Sequence, residues 1–179
     1  MINSKSSQRG VFSIEFALLG VVFSTILIFT ADIIVKLSVQ GKLDRLSYSL
    51  VNVIKERTQF YGKDNFDIDN KMVTDIYQIA TGSMQRTTGN YQANNVGGEF
   101  ELLKFDLNGK PSVTLISKGK GCSLGQTISQ QEGLSMVTSW GRRATLYRVT
   151  LCYETDNWAG PLFDEEFTTI QSSSLMMGR

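Results

Sequence analysis

The stretch Gly10-Val11-Phe12-Ser13-Ile14-Glu15-Phe16-Ala17-Leu18-Leu19-Gly20 opens an apolar run in which Glu15 is the only charge as far as Ala31. About 21 helical residues at ~1.5 Å each span roughly 30 Å, the thickness of bilayer hydrocarbon. A carboxylate inside hydrocarbon costs up to ~3 kcal/mol on insertion scales, so an acid in this position is expected to serve a function. The chemistry it suggests is the assembly of helices in a membrane, not catalysis. Asp32 and Lys36 then fall where the far headgroups would lie.

Apolar periodicity continues past those charges. Val39, Leu43, Leu46, Leu50 and Val53 recur at three- and four-residue steps, with Lys42, Asp44, Arg45 and Asn52 on other faces. One helix is therefore expected over residues 12–57, about 70 Å at ~1.5 Å per residue, with Gly41 the place for a bend. Its second half would offer an apolar stripe for a globular domain to cover. A second helix is expected over residues 70–80, with Met72, Val73, Ile76 and Ile79 on one face, Asp69 as its cap and Gly82 beyond its end. Residues 81–98, rich in Gly, Thr, Asn and Gln without periodicity, read as a loop.

The β signals come later. Residues 100–107 and 112–117 flank Asn108-Gly109, a dipeptide that favours the positive φ angles of a tight hairpin. Pro111 has no N–H for a ladder, which puts the return strand at an edge or delays its start. Residues 144–154 alternate, with Tyr147, Val149, Leu151 and Tyr153 on one face and Leu146, Arg148, Thr150 and Cys152 on the other. That pattern predicts a half-buried antiparallel strand with its aromatic face inward. Residues 163–170 give a last short strand. The expected fold is α+β: a long N-terminal helix, its first half membrane-spanning, packed on a small antiparallel sheet.

Composition removes several functions. The net charge is +1, with no basic cluster to neutralise phosphates, so nucleic acid is not an expected partner. Histidine is absent, which takes away the commonest general base and transition-metal ligand. Two cysteines are too few for a four-thiolate zinc site. Neither an enzyme nor a cofactor is expected. Asp64, Asp67 and Asp69 lack the loop glycine of a calcium loop, and Lys71 stands where an oxygen ligand is needed, so they read as turn acids and a helix cap.

Targeting follows from what surrounds the apolar run. A signal-peptide cleavage site near Ala31 would place Phe29 or Ile28 three residues upstream, and Val39-Gln40-Gly41 lies beyond two charges. The apolar helix is thus expected to remain in the mature protein. Basic residues flank both ends and barely discriminate orientation. Cys122 and Cys152 help: a pair in a small domain is useful in an oxidising compartment, which favours an N-terminus in the cytoplasm and the domain outside, the alternative being two unpaired cysteines in a cytosolic domain. They would close a loop of about thirty residues, worth roughly 3–4 kcal/mol in the chain-entropy model. A redox or metal pair is the alternative, but there is no Cys-x-x-Cys spacing and no nearby ligand.

The segment from Gly10 to Phe16 resembles the N-terminus of type IV prepilins. In that family a short basic leader is removed after a glycine, and a glutamate stands fifth in the mature chain. Residues 1–10, carrying Lys5 and Arg9, would be the leader, Gly10 and Val11 the processing site, and Glu15 the fifth residue. Leu146-Tyr147-Arg148-Val149-Thr150-Leu151-Cys152-Tyr153-Glu154-Thr155-Asp156-Asn157-Trp158 is similar to the C-terminal part of TadE/TadF-type minor pilins of the tight-adherence (Tad) pilus, closest to TadF. Val11 departs from the Phe or Met that begins many pilins, and Phe16 from the Tyr of this pilus's major subunit, which fits a minor component.

The resemblance implies a leader (1–10), an assembly helix (11–35) and a periplasmic pilin-like domain (36–179) of a bacterial inner-membrane protein. It implies as partners a prepilin peptidase, other major and minor pilins, the inner-membrane assembly platform and lipid. In such an assembly Glu15 would neutralise the positive amine of a neighbour's Val11, an ion pair strong in a low-dielectric setting. The plain alternative is an acid stabilised by the helix dipole in the first turn. Ser13, Ala17, Gly20 and Ser24 form a stripe of small residues that permits close helix packing, although such residues are common in any membrane helix. Asp156, Asn157 and Trp158 offer a partner surface or simply a turn with a half-buried aromatic. The other reading of the whole chain is an uncleaved single-span anchor whose outer domain binds an envelope partner.

Overall fold

The computed structural model describes residues 8–61, 67–106, 108–139, 141–156, 158, 160 and 168–178; for 8–11 and 57–61 the description extends to the helical backbone. The chain divides into two units, Met1–Leu37 with Asp156–Thr168, and Ser38–Thr155 with Thr169–Arg179. Helix α1 (Gln8–Tyr61) contributes to both.

Among the described residues α1 is one helix long and apolar enough to cross a membrane. In the first unit its apolar side chains, Phe12, Ile14, Phe16, Leu18, Val21, Phe23 and Leu27 among them, are exposed on every side. A helix apolar all round has no polar face to give to water, so this segment is suited to anchoring in a membrane.

In the second unit the helical assignment passes through Gly41 without interruption. Val39, Leu43 and Leu50 are buried as the periodicity predicts, and Leu46 packs against the same core. Val53 does not join them: it is 54 % exposed, while Ser47, Val51 and Ile54 are buried. The buried arc is centred toward Ser47 and Ile54, and Val53 falls just outside it.

Helix α2 (Asn70–Thr87) starts where predicted, with the Asp69 carboxylate accepting from the Met72 amide at 2.6 Å. It runs seven residues past the expected end, through Gly82, because Met84 lies wholly buried one turn beyond Ala80. Burying that side chain outweighs the roughly 1 kcal/mol that a helical glycine costs. Ile79, expected on the buried face, is 58 % exposed, and Ala80 takes its place.

A four-stranded antiparallel sheet, ordered β2-β1-β3-β4, completes the unit from β1 (Val96–Phe105), β2 (Pro111–Gly119), β3 (Leu146–Glu154) and β4 (Thr169–Met177). The expected loop over 81–98 is thus helical at its start and strand at its end. Gly97 lies within β1, and glycine is required there because a Cβ would collide with the Lys120 carbonyl and lie 2.6 Å from the Cys152 sulfur. Pro111 opens edge strand β2 opposite Phe105, where a missing N–H is harmless.

The hairpin turn is wider than a two-residue loop. The Asp106 carboxylate accepts from the amides of Asn108 and Lys110, at 2.9 and 2.7 Å, and Gly109 takes φ +76°. Leu107 lies outside the described residues. The last strand begins at Thr169, so only its first two residues overlap the predicted segment, and 163–167 lie outside the description. Ser172 and Ser174 made that strand hard to read. Both hydroxyls bond to Ser47 of α1, at 3.2 and 2.9 Å.

The principal core lies between the helices and one sheet face. Phe100, Leu102, Tyr147, Val149, Leu151 and Tyr153 meet Leu43, Leu50, Val51, Val73, Ile76 and Met84 there. Strand β3 departs from expectation on its other side: Leu146, Arg148, Thr150 and Cys152 are buried as well. A second layer covers that face.

Candidate assembly site

Gly10 and Val11 lie in the first turns of α1, and the expected leader residues 1–7 lie outside the description. Glu15 is exposed one turn further on, beside Phe12 and Phe16, whose rings stack at 6.4 Å. Ser13, Ala17, Gly20 and Ser24 are also exposed, and a Cβ added at Gly20 would meet nothing within 4 Å. A residue two places along a helix is turned by roughly 200°. Glu15 therefore points away from the small-residue stripe, between Leu18, Leu19 and Val22. The helix has one acidic side and one closely approachable side, able to serve two different neighbours.

Three hydroxyls of this helix segment are satisfied internally. Ser24 donates to the Gly20 carbonyl at 2.8 Å, Thr25 to Val21 at 3.0 Å and Thr30 to Ile26 at 2.8 Å. Such back-bonding lets polar side chains sit in hydrocarbon without an orphan donor. At the end of the run Asp32 is buried and pairs with Lys36 across one turn, at 2.6 Å. Neutralised together, these two charges tolerate an interfacial position that either alone would resist. In the same unit Asp156 is exposed, Trp158 is 55 % exposed, and Asn157 lies outside the description. The acids considered for calcium are otherwise engaged: Asp67 pairs with Lys104, Asp69 caps α2, and Asp64 is outside the described residues.

The residues that sequence reasoning missed lie under the second layer. Beyond β2, residues 120–134 form a strap across the sheet, ending in a 3₁₀ segment (Ile128–Leu134). Every second residue of β1 meets it in turn. Gly97 lies beneath Lys120, whose amide donates to the Val96 carbonyl at 2.9 Å. Cys122 is joined to Cys152, the β3 partner of Gly97, by a disulfide with 5.7 Å between Cα atoms. The Glu99 carboxylate accepts from the Cys122 amide at 3.3 Å, and that of Glu101 from the Ile128 amide at 3.2 Å. Arg148 forms a buried ion pair with Glu101 and donates to the Gln126 carbonyl at 2.6 Å. Leu103, Leu146 and Ile128 close a small apolar cluster at the end of the strap.

Burial pushes the Glu99 carboxyl above its ordinary range; the Cys122 amide and Arg148 oppose that shift, and Glu101 adds to it. Its Oε2 is buried without a hydrogen-bond partner among the described residues. Acids at alternate positions of a strand ordinarily mark a solvated face. No local signal shows that a distant segment covers them; the one hint is that Cys152 shares a face with Arg148.

Comparison with known proteins gives one positive result. The family model described as TadF, "Putative tight adherence pilin protein F", matches residues 3–179, nearly the whole chain. No curated protein and no solved structure matches.

Proposed function

We propose, starting from the fact that this chain belongs to the TadF family of tight-adherence pilins, that it acts as a minor pilin made as a precursor in the bacterial inner membrane. A prepilin peptidase clips it between Gly10 and Val11, and residues 11–35 then join the helical bundle of a Tad pilus used in surface adherence. The N-terminus faces the cytoplasm and residues 36–179 the periplasm. Other pilins and the assembly platform are its partners, and its role is structural.

The observation that carries this reading is Glu15, exposed on a helix that is apolar all round. Within lipid an unpaired carboxylate is costly, and the freed amine of a neighbour's Val11 would neutralise it and set the stagger between subunits. The opposite stripe of Ser13, Ala17, Gly20 and Ser24 supplies close approach to another helix. Glu15→Ala and Glu15→Leu should insert normally and fail to co-assemble. Incorporation of either variant into pili at the wild-type level would refute the role.

N-terminal sequencing of the native protein distinguishes this from an uncleaved anchor. A chain beginning at Val11 supports the pilin reading; an intact leader makes the protein a tethered domain. In that second reading exposed Trp158 and Asp156 are the surface an envelope partner would touch.

A further inference from the structure

We propose that the Cys122–Cys152 bond is a reducible latch that closes the strap over the second sheet face, and that the helix-facing core folds without it. The two faces of the sheet are unequally built. One holds the large cluster that joins both helices to all four strands. Among the described residues the apolar cluster on the other consists of Leu103, Leu146 and Ile128, with Phe105 and Leu175 beside them. Three buried apolar side chains are too few to order the irregular chain of residues 120–134.

Apart from the Lys120 amide bond to the Val96 carbonyl where the strap begins, the polar contacts beneath the strap involve charged side chains. Glu99, Glu101 and Arg148 lose water when the strap closes and regain it when the strap lifts, so opening is opposed only weakly by those bonds. Two outer ion pairs, Lys120 with Glu154 and Arg143 with Glu132, are partly exposed and screened by water, and add little. The disulfide is thus the element that fixes the strap, by removing the freedom of the intervening chain.

The chemistry is thiol–disulfide exchange with an external disulfide. In closing, a Cys thiolate attacks the oxidant and releases one of its thiols as a thiolate. The second Cys thiolate then attacks the mixed disulfide and releases the other, so two protein thiols become one disulfide and one external disulfide becomes two thiols. Cys122 is half-buried and Cys152 almost fully buried. The Cys122 sulfur is accordingly the one an external thiol reaches, with Cys152 as leaving group.

The test uses the full chain in detergent micelles, oxidised or treated with dithiothreitol, with hydrogen exchange and iodoacetamide labelling read by mass spectrometry. In the reduced chain both cysteines label and the amides of residues 120–134 exchange roughly tenfold faster or more, while those of α2 and of residues 38–56 stay within about twofold. Glutathione disulfide restores strap protection. Unchanged strap protection with both cysteines labelled would overturn the proposal, because the charges alone would then hold the strap. Loss of protection in α2 together with the strap would overturn it too, making the bond a staple for the whole domain. The Cys122→Ser/Cys152→Ser chain should match the reduced protein in the same assay, and failure of that variant to fold counts as the second contrary result.

Discussion

At the residue scale, the polar groups with most structural consequence are those that touch the strap. Glu99 is an acid held in a place that disfavours its charge. Its folded-state carboxyl is raised above the unfolded value of 4.5, so between the two values the native state binds more protons than the unfolded chain. Its contribution to stability is therefore highest in acid and is lost as pH rises through that window. Glu99→Gln should raise the midpoint of urea denaturation at neutral pH, and its advantage over wild type should shrink as pH falls toward 4.5. Gly97→Ala drives a methyl into the Lys120 carbonyl and should destabilise by about 1–3 kcal/mol, read from the same denaturation curve. Glu101 and Arg148 form the other sensitive pair: Arg148→Met leaves a carboxylate buried without its cation, and the loss should be roughly 3–5 kcal/mol. None of these four residues stands out by type. Their importance comes from what lies over them.

At the scale of elements, α2 was partly legible and partly not. Asp69 announced its start, because an acid before an apolar-periodic run supplies an acceptor for free amides. Gly82 announced a false end. A Cβ there would meet nothing within 4 Å, so the glycine neither permits a turn nor makes room for a neighbour. Gly82→Ala should therefore stabilise by roughly 0.5–1 kcal/mol, and Asp69→Ala should destabilise by about 1 kcal/mol. Thermal melts followed by circular dichroism of the detergent-solubilised chain check both. The strands show the same division. Alternation revealed β3, and Asn108-Gly109 located the β1–β2 connection. The serines of β4 hid a strand, since their hydroxyls bond to Ser47 only once α1 lies against the sheet.

At the scale of the whole molecule, the sheet separates two environments with different stakes. Phe100 on the helix side is wholly buried in the large cluster, and Phe100→Ala should cost about 3–5 kcal/mol in global unfolding. Ile128 is equally buried, but in the small cluster under the strap. Ile128→Ala should show chiefly as faster exchange of residues 120–134, with a much smaller change in the denaturation midpoint. Equal global losses for the two variants would mean that both faces fold as one unit. Tyr147 reports on the core directly. Burial foremost, with the Asp67 charge, pushes its phenol up to about 12, so stability falls as pH rises from about 10 through 12. That alkaline loss should be reduced in Tyr147→Phe, measured by denaturation at stepped pH.

Apolar continuity and period by themselves determined the helix long and apolar enough to cross a membrane, the start of α2, the location of the hairpin and the α+β class, because these depend on neighbours within a few turns along the chain. The motif around Gly10 and Glu15, with the segment from Leu146 to Trp158, was enough to indicate the pilin family that the family match shows. What only the tertiary structure decided was the second layer: that Glu99, Glu101, Arg148 and Cys152 are buried, and that a disulfide-tethered strap covers them. Burial of a strand's second face is set by a segment distant in sequence, and polar residues beneath such a segment carry the same pattern as residues facing water.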